Sequence, residues 1–260
     1  MSKAIYKPKG KAGEYAEWAC NLYVGCSNNC SYCYCKKGVL SHAMGGPVAK
    51  LKSCFTDERH AFEVFKKELH DNLEELQKSS LFFTFSSDPM IPETRDLNAA
   101  CIRYAIQNGV RVQVLTKNAY FAYGPRSVKQ LINEKYRDMI AFGFTLTGRD
   151  DMEPGASTNK ERLATLRFLH GIGFRTFVSL EPVIDPESTL NVALKAYAFC
   201  DLFKVGLMSG VPLSYYSREA VETMVRGIRM APEKVYLKRS LTDYLGIPRE
   251  EPIDIFKIKK

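Results

Sequence analysis

Gly25-Cys26-Ser27-Asn28-Asn29-Cys30-Ser31-Tyr32-Cys33-Tyr34-Cys35 is the stretch that decides how the rest of the chain is read. Its first three cysteines are spaced C-x3-C-x2-C. Thiolates are soft ligands that suit iron–sulfur clusters or zinc. Three ligands from one tight loop are one fewer than a closed four-thiolate site needs. A cluster held by three thiolates keeps one iron free of protein ligands, and that iron can bind a small molecule. A fourth thiol, Cys35 or Cys54, would instead allow a closed zinc tetrahedron.

The residues outside this loop bound the choice. The chain has 260 residues, 45% of them hydrophobic and 25% charged, the balance of a globular protein large enough for a full core. No apolar run approaches the roughly 20 residues of a membrane helix. The N-terminus is basic, with no apolar segment behind it, so no secretory signal is expected. The eight cysteines are too unevenly spread for a disulfide scaffold, and a reduced, cytoplasmic setting with ligating thiolates fits them better. Net charge is +8, which suits a polyanionic partner, although the basic residues are scattered.

Outward from the loop, a βα rhythm emerges. Trp18–Val24 reads as an apolar strand ended by Gly25, and residues 36–54, with several glycines and Pro47, read as irregular. Asp57–Lys78 carries Phe62, Phe65, Leu69, Leu73 and Leu76 at helical spacing. Strands follow at Leu81–Phe85, Val110–Leu115, Met139–Leu146, Arg175–Leu180 and Leu202–Leu207, with a short one at Lys234–Leu237. Helices alternate with them at Thr94–Asn108, Ser127–Lys135, Asn159–His170, Glu187–Phe199 and Ser217–Met230.

Short apolar strands alternating with helices predict a parallel sheet covered on both faces. Six regular units predict an α/β fold, a partial (β/α)6 TIM-type barrel, since eight would crowd this length. An open doubly wound sheet is the rival, but no G-x-G-x-x-G follows the first strand. Residues 1–17 are expected as a lead-in, 18–230 as the barrel, and 231–260 as an extension packing on or near it.

Polar residues collect where the strands end: Ser86, Ser87 and Asp88; Thr116, Lys117 and Asn118; Thr145 and Thr147; Ser179 and Glu181; Ser209. In parallel barrels and open sheets the active site forms at that edge. The cysteine loop sits at the same edge of the first strand.

With these features together, the sequence resembles the radical S-adenosylmethionine (SAM) superfamily over roughly residues 18–210. Asn21-Leu22-Tyr23-Val24-Gly25-Cys26, Cys33-Tyr34, Ser87-Asp88-Pro89 and Leu115-Thr116-Lys117 resemble its spore photoproduct lyase-like, "DNA repair photolyase" branch. So do Glu153-Pro154-Gly155-Ala156 and Glu161-Arg162-Leu163.

The resemblance implies that Cys26, Cys30 and Cys33 ligate a [4Fe-4S] cluster whose fourth iron takes SAM. One electron, from a reductant such as flavodoxin or ferredoxin, then cleaves SAM to a 5′-deoxyadenosyl radical that abstracts hydrogen from a substrate. It also implies that Tyr32 packs beside the cluster and adenine. Ser86, Ser87 and Asp88 would meet the methionine amine, and Lys117 its carboxylate. Thr147 would lie near the ribose and Glu181 near ribose or adenine. Cys35 is a candidate hydrogen donor without a match in the lyase pattern. The implied substrate is DNA, RNA or a nucleotide. Two other readings stand beside it: a radical enzyme acting on peptide or protein, such as a glycyl-radical activase, and a zinc-stabilised nucleic-acid-binding module without catalysis.

Overall fold

The structure, a computed structural model, describes residues 4–38, 41–123, 126–230 and 232–258. Its strands in chain order are β1 (Ile5–Tyr6), β2 (Trp18–Cys20), β3 (Tyr23–Val24), β4 (Lys50–Leu51), β5 (Leu81–Phe83), β6 (Val112–Thr116), β7 (Ile140–Thr145), β8 (Arg175–Val183), β9 (Leu202–Leu207) and β10 (Val235–Leu237). The helices are α1 (Ser41–Met44), α2 (Glu58–Asp71), α3 (Leu73–Lys78), α4 (Arg95–Gln107), α5 (Arg126–Lys129), α6 (Asn159–Gly171), α7 (Pro186–Ala196), α8 (Arg218–Ile228) and α9 (Arg239–Leu245).

The main sheet runs β1-β2-β5-β6-β7-β8-β9-β10. All of its pairs are parallel except β1 with β2. Among the described residues β1 and β10 do not pair, so the curved sheet stays open, which is the expected partial barrel. The six expected parallel strands are β2 and β5 to β9, and β10 adds a seventh from the C-terminal segment.

Alternation along each strand sorts side chains to two faces. Leu81 and Phe83 of β5, Val112 and Val114 of β6, and Phe142 and Phe144 of β7 join the helices in one core. Phe82, Ala141, Phe177, Leu202 and Tyr236 face inward and pack with Tyr15, Ile255 and Phe256, which fill the barrel. Residues from near both ends of the chain, Tyr15 as well as Ile255 and Phe256, therefore enter the barrel interior.

Several boundaries differ from the sequence expectation, each for a local reason. The Trp18–Val24 strand is broken by Asn21, whose amide accepts from Phe85 N and donates to the Tyr6 hydroxyl at 2.8 Å each. The second half, β3, leaves the sheet and pairs antiparallel with β4, inside the stretch expected to be irregular. Asn72 divides the first long helix by donating to Glu68 O. The Ser127–Lys135 helix is only the short α5, because Asn133 adopts an extended backbone and caps a separate turn at Glu134–Tyr136. β8 runs on to Val183 through a register irregularity after Leu180, which carries Glu181 along the cavity wall. Lys259 and Lys260, expected as a tail, lie outside the described residues.

Candidate active site

At the C-terminal edge of the sheet is a cavity of about 340 Å3, lined on one side by Cys26, Cys30 and Cys33. The loop that carries them is held by its surroundings. Gly25 has φ +77°, which glycine adopts without strain, and a Cβ there would run into the carbonyl of Val48. The Gly25 and Cys26 amides donate to Met44 O and Gly46 O. From the other side the 153–156 turn crosses the loop. Ser31 N donates to Met152 O and Gly155 N to Asn28 O, 3.0 Å each, and a Cβ on Gly155 would overlap the Ser27 carbonyl.

A buried ionic brace fixes that turn. The Tyr32 hydroxyl donates to Glu153, whose other oxygen pairs with Arg162 of α6. Arg162 is 0% exposed and also donates to Thr145 O at 2.6 Å and Ser157 O at 2.8 Å. A Thr158–Glu161 capping box sets the start of α6, and with it the position of Arg162 one residue on.

Asp88 organises the strand-end residues. It accepts from Asn28 Nδ2 (2.8 Å), Lys117 N (2.7 Å), Met90 N (2.9 Å) and Thr116 Oγ1 (2.6 Å). The carboxylate is thus committed to tying the cysteine loop to the ends of β5 and β6. Ser86 lines the cavity but donates to Tyr23 O. The buried Ser87 Oγ and Asn28 Oδ1 have no hydrogen-bond partner among the described residues, and both side chains line the cavity.

Lys117 lines the cavity with its ammonium 5.6 Å from the Tyr32 ring centre. Burial works against that ammonium, but Cys30 and Glu153 beside it outweigh burial and raise its pKa. Burial pushes the Cys26 thiol up to about 12 and raises Cys30. A hydrogen bond from Cys35 lowers Cys33 to about 6, and the same pairing raises Cys35. A soft metal that replaces the thiol protons relieves the cost of burying these sulfurs as anions.

The far wall comes from β8, β10 and the chain ends. The Tyr15 hydroxyl lies 2.6 Å from Ser179 Oγ and donates to Glu181 Oε2 at 2.9 Å. Lys238, directly after β10, pairs with the same Glu181 oxygen and donates to Lys11 O at 3.1 Å. Gly206 leaves room for that pair, since a Cβ there would stand 2.8 Å from Glu181 Oε1. Below them Lys204, fully buried, donates to Tyr15 O at 2.8 Å, and burial followed by the charge of Lys238 lowers its pKa to about 7.

Of the residues singled out in the sequence, Tyr32, Ser86, Ser87, Asp88, Lys117, Glu181, Cys35, Cys26, Cys30 and Cys33 share this cavity. Thr147 does not. It is fully buried, its hydroxyl accepts from Arg149 N, and Thr145 lines the cavity two residues earlier. Sequence reasoning passed over Tyr15, Lys238 and Lys204, and gave Glu153 and Arg162 no role. Lys204 did leave a signal, a lysine in the middle of the apolar run Leu202-Phe203-Lys204-Val205.

The family model of the Radical SAM superfamily matches residues 20–200. The chain belongs to the radical SAM superfamily. Its family implies SAM and an iron–sulfur cluster.

Among solved structures, a spore photoproduct lyase variant is similar with a TM-score of 0.63 at 15% identity, over 91% of this chain and 78% of that one. A second variant, with bound AdoMet and dinucleoside spore photoproduct, gives 0.56 at 18%, over 83% and 62%. Streptococcus suis SuiB bound to its precursor peptide SuiA gives 0.50 at 11%, over 73% and 46%. At such identities the likeness speaks for the shared fold. An uncharacterized protein of Acidianus two-tailed virus, ORF301, is 22% identical over 197 residues, and the match spans 63% of its length.

Proposed function

We propose that this radical SAM enzyme holds a [4Fe-4S] cluster on Cys26, Cys30 and Cys33 and turns the radical chemistry of SAM on a nucleic acid or nucleotide. One observation carries the reading. The three thiols, Lys117, Ser87 and Asn28 line a single cavity, and Ser87 Oγ and Asn28 Oδ1 are buried without a hydrogen-bond partner among the described residues. When bound, the cluster and SAM supply one-electron cleavage to methionine and a 5′-deoxyadenosyl radical that abstracts a hydrogen atom.

The chain's part is binding, orientation and exclusion of water. Ser87 Oγ and Asn28 Oδ1 are acceptors for the methionine ammonium, with the Asp88 charge behind them through Asn28 Nδ2. Lys117 is the cation for the methionine carboxylate. The brace from Tyr32 through Glu153 to Arg162 holds the loop still while the electron arrives from a flavodoxin- or ferredoxin-type donor. Glu181 and Thr145 reach the cavity from β8 and β7, where ribose and adenine would lie. Cys35, buried beside Cys33, is the candidate hydrogen donor on this wall.

The net charge of +8 and the lysines at the cavity, Lys11, Lys36, Lys117 and Lys238, support a polyanionic substrate. So does the dinucleoside held by one lyase structure similar to this chain. No helix among the described residues is long and apolar enough to cross a membrane. The cysteine chemistry favours a reducing, cytoplasmic compartment.

Anaerobic reconstitution with iron and sulfide tests the proposal. The expected product is a brown protein that releases 5′-deoxyadenosine from SAM when reduced, with single-stranded DNA binding that weakens as salt rises. Cys30→Ala should lose the iron. A colourless protein that holds zinc and no iron would overturn the cofactor reading, and DNA binding that is absent or indifferent to salt would overturn the substrate reading.

A further inference from the structure

A second cavity, of about 390 Å3, opens beside the first, and the two share Lys11, Leu207, Met208 and Ser209. A hydrogen bond of 2.9 Å from Lys11 Nζ to Ser209 Oγ joins two of these shared residues. Every residue that lines the second cavity lies outside the family-matched segment 20–200. They come from residues 10–14, the stretch from the end of β9 to Tyr216, and the start of α9. The segment that the superfamily has in common must hold what its members have in common, the cluster and SAM. Residues outside it are free to bind what differs between members, the substrate.

The chemistry of the second cavity is specific. Glu14, on its wall, is 2% exposed. Its Oε1 accepts from Arg239 N (2.7 Å) and the Tyr236 hydroxyl (3.0 Å). Its Oε2 accepts no hydrogen bond among the described residues, and its ion-pair partner Lys238 Nζ stands 3.8 Å away, at the outer limit of a salt bridge. A buried carboxylate oxygen without a donor is costly, and an N–H or O–H group of a ligand would remove that cost. At the rim, exposed Lys11 and Arg239 suit an anion. The rest of the wall mixes apolar Leu207, Val211 and Leu213 with Ser209, Ser240 and Asp243, whose carboxylate is paired with Arg249. The volume lies within the range of about 300–1,000 Å3 usual for small-molecule sites.

We propose that this second cavity is the substrate subsite, and that it takes one nucleotide of a nucleic acid. A heterocycle N–H donates to Glu14 Oε2 and the phosphate meets Lys11 and Arg239. The N–H donors, apolar ring and phosphate of a nucleotide suit the acceptor, apolar and cationic groups that line the cavity. The assignment rests on the nucleic-acid reading above. The shared residues place the subsite directly beside the cysteine loop's cavity, with the Lys11–Ser209 bond between them.

The test uses the full chain after reconstitution and follows binding of a fluorescein-labelled single-stranded oligodeoxynucleotide by anisotropy. Glu14→Gln keeps the Oε1 acceptor for Tyr236 and Arg239 and turns the orphaned oxygen into a donor. It should weaken binding about ten- to a hundredfold. Arg239→Gln should weaken it several-fold and flatten the salt dependence. Lys160→Gln removes an exposed charge on α6 that lines neither cavity, and should leave binding as it is. Iron per chain, measured on each variant, shows whether the cysteine loop is intact.

Equal affinity in Glu14→Gln, Arg239→Gln and the unaltered chain would overturn the subsite, as would an oligonucleotide that does not bind or is displaced by an acidic peptide in preference to deoxynucleoside monophosphates. A chain that holds no iron or yields no 5′-deoxyadenosine sinks the cofactor reading instead, and the binding comparison is read independently of it.

Discussion

Arg162→Met would remove the cation at the centre of the brace under the cysteine loop. Methionine approximates the length of the arginine stem, so the change is mainly one of charge and hydrogen bonding. Three acceptors lose their donor: Glu153 Oε2, Thr145 O and Ser157 O. Both side chains of the ion pair are 0% exposed, so water cannot take over. Removing one partner of such a buried pair costs about 3–5 kcal/mol, because the remaining charge stays desolvated. Against a total stability of about 5–15 kcal/mol, that is a large share.

Urea unfolding of the apo chain would show the loss as a lower midpoint. Iron retained after anaerobic gel filtration should fall too, since Glu153 also holds Tyr32, next to Cys33. The double variant Arg162→Met with Glu153→Gln removes the stranded charge and should recover part of the loss, so the two single costs should not add. A cost below about 1 kcal/mol for Arg162→Met, or strict additivity in the double variant, would refute the buried-brace reasoning.

Three further outcomes follow from the same geometry. Gly155→Ala should cost about 1–3 kcal/mol by overpacking and lower iron retention, because its Cβ would meet the Ser27 carbonyl; unchanged iron content would show that the loop yields. Lys117→Met should raise the Kd for SAM about ten- to a hundredfold with iron content preserved, as measured by equilibrium dialysis; unchanged affinity would take Lys117 out of the carboxylate site. Lys204 carries a pH signature: its pKa falls from 10.5 to about 7 on folding, so the unfolded chain binds the extra proton between those values and stability rises with pH across that window. Unfolding measured from pH 7 to about 8.5 should show that rise in the unaltered chain and a weaker one in Lys204→Met, where the thiols, Cys33 among them, contribute as before; equal slopes would contradict the lowered pKa of Lys204.

The βα rhythm was legible because short, nearly continuous apolar runs and longer period-3.6 amphipathic runs differ locally, and each needs only its own residues to be recognised. The splitting of Trp18–Val24 was not, because Asn21 breaks the strand through partners at Tyr6 and Phe85, the latter 64 residues away. Asp88 was singled out as a contact for the methionine amine of SAM, and the structure places it in the cavity wall; its four donors come from three separate stretches of chain, and only their convergence shows that the carboxylate is already committed.

By itself the sequence determined the class of protein. Three thiolates at fixed spacing in one loop, at the end of the first of a series of apolar strands, are local facts, and they carry the resemblance to the radical SAM superfamily and its partial parallel barrel. Only the tertiary structure decided what completes the site. Tyr15 and Lys238 are more than 220 residues apart, yet they meet at Glu181 because a curved sheet brings residues from near both ends of the chain into its own interior. Contacts across such separations depend on the curvature of the open sheet, which no local pattern of residues encodes.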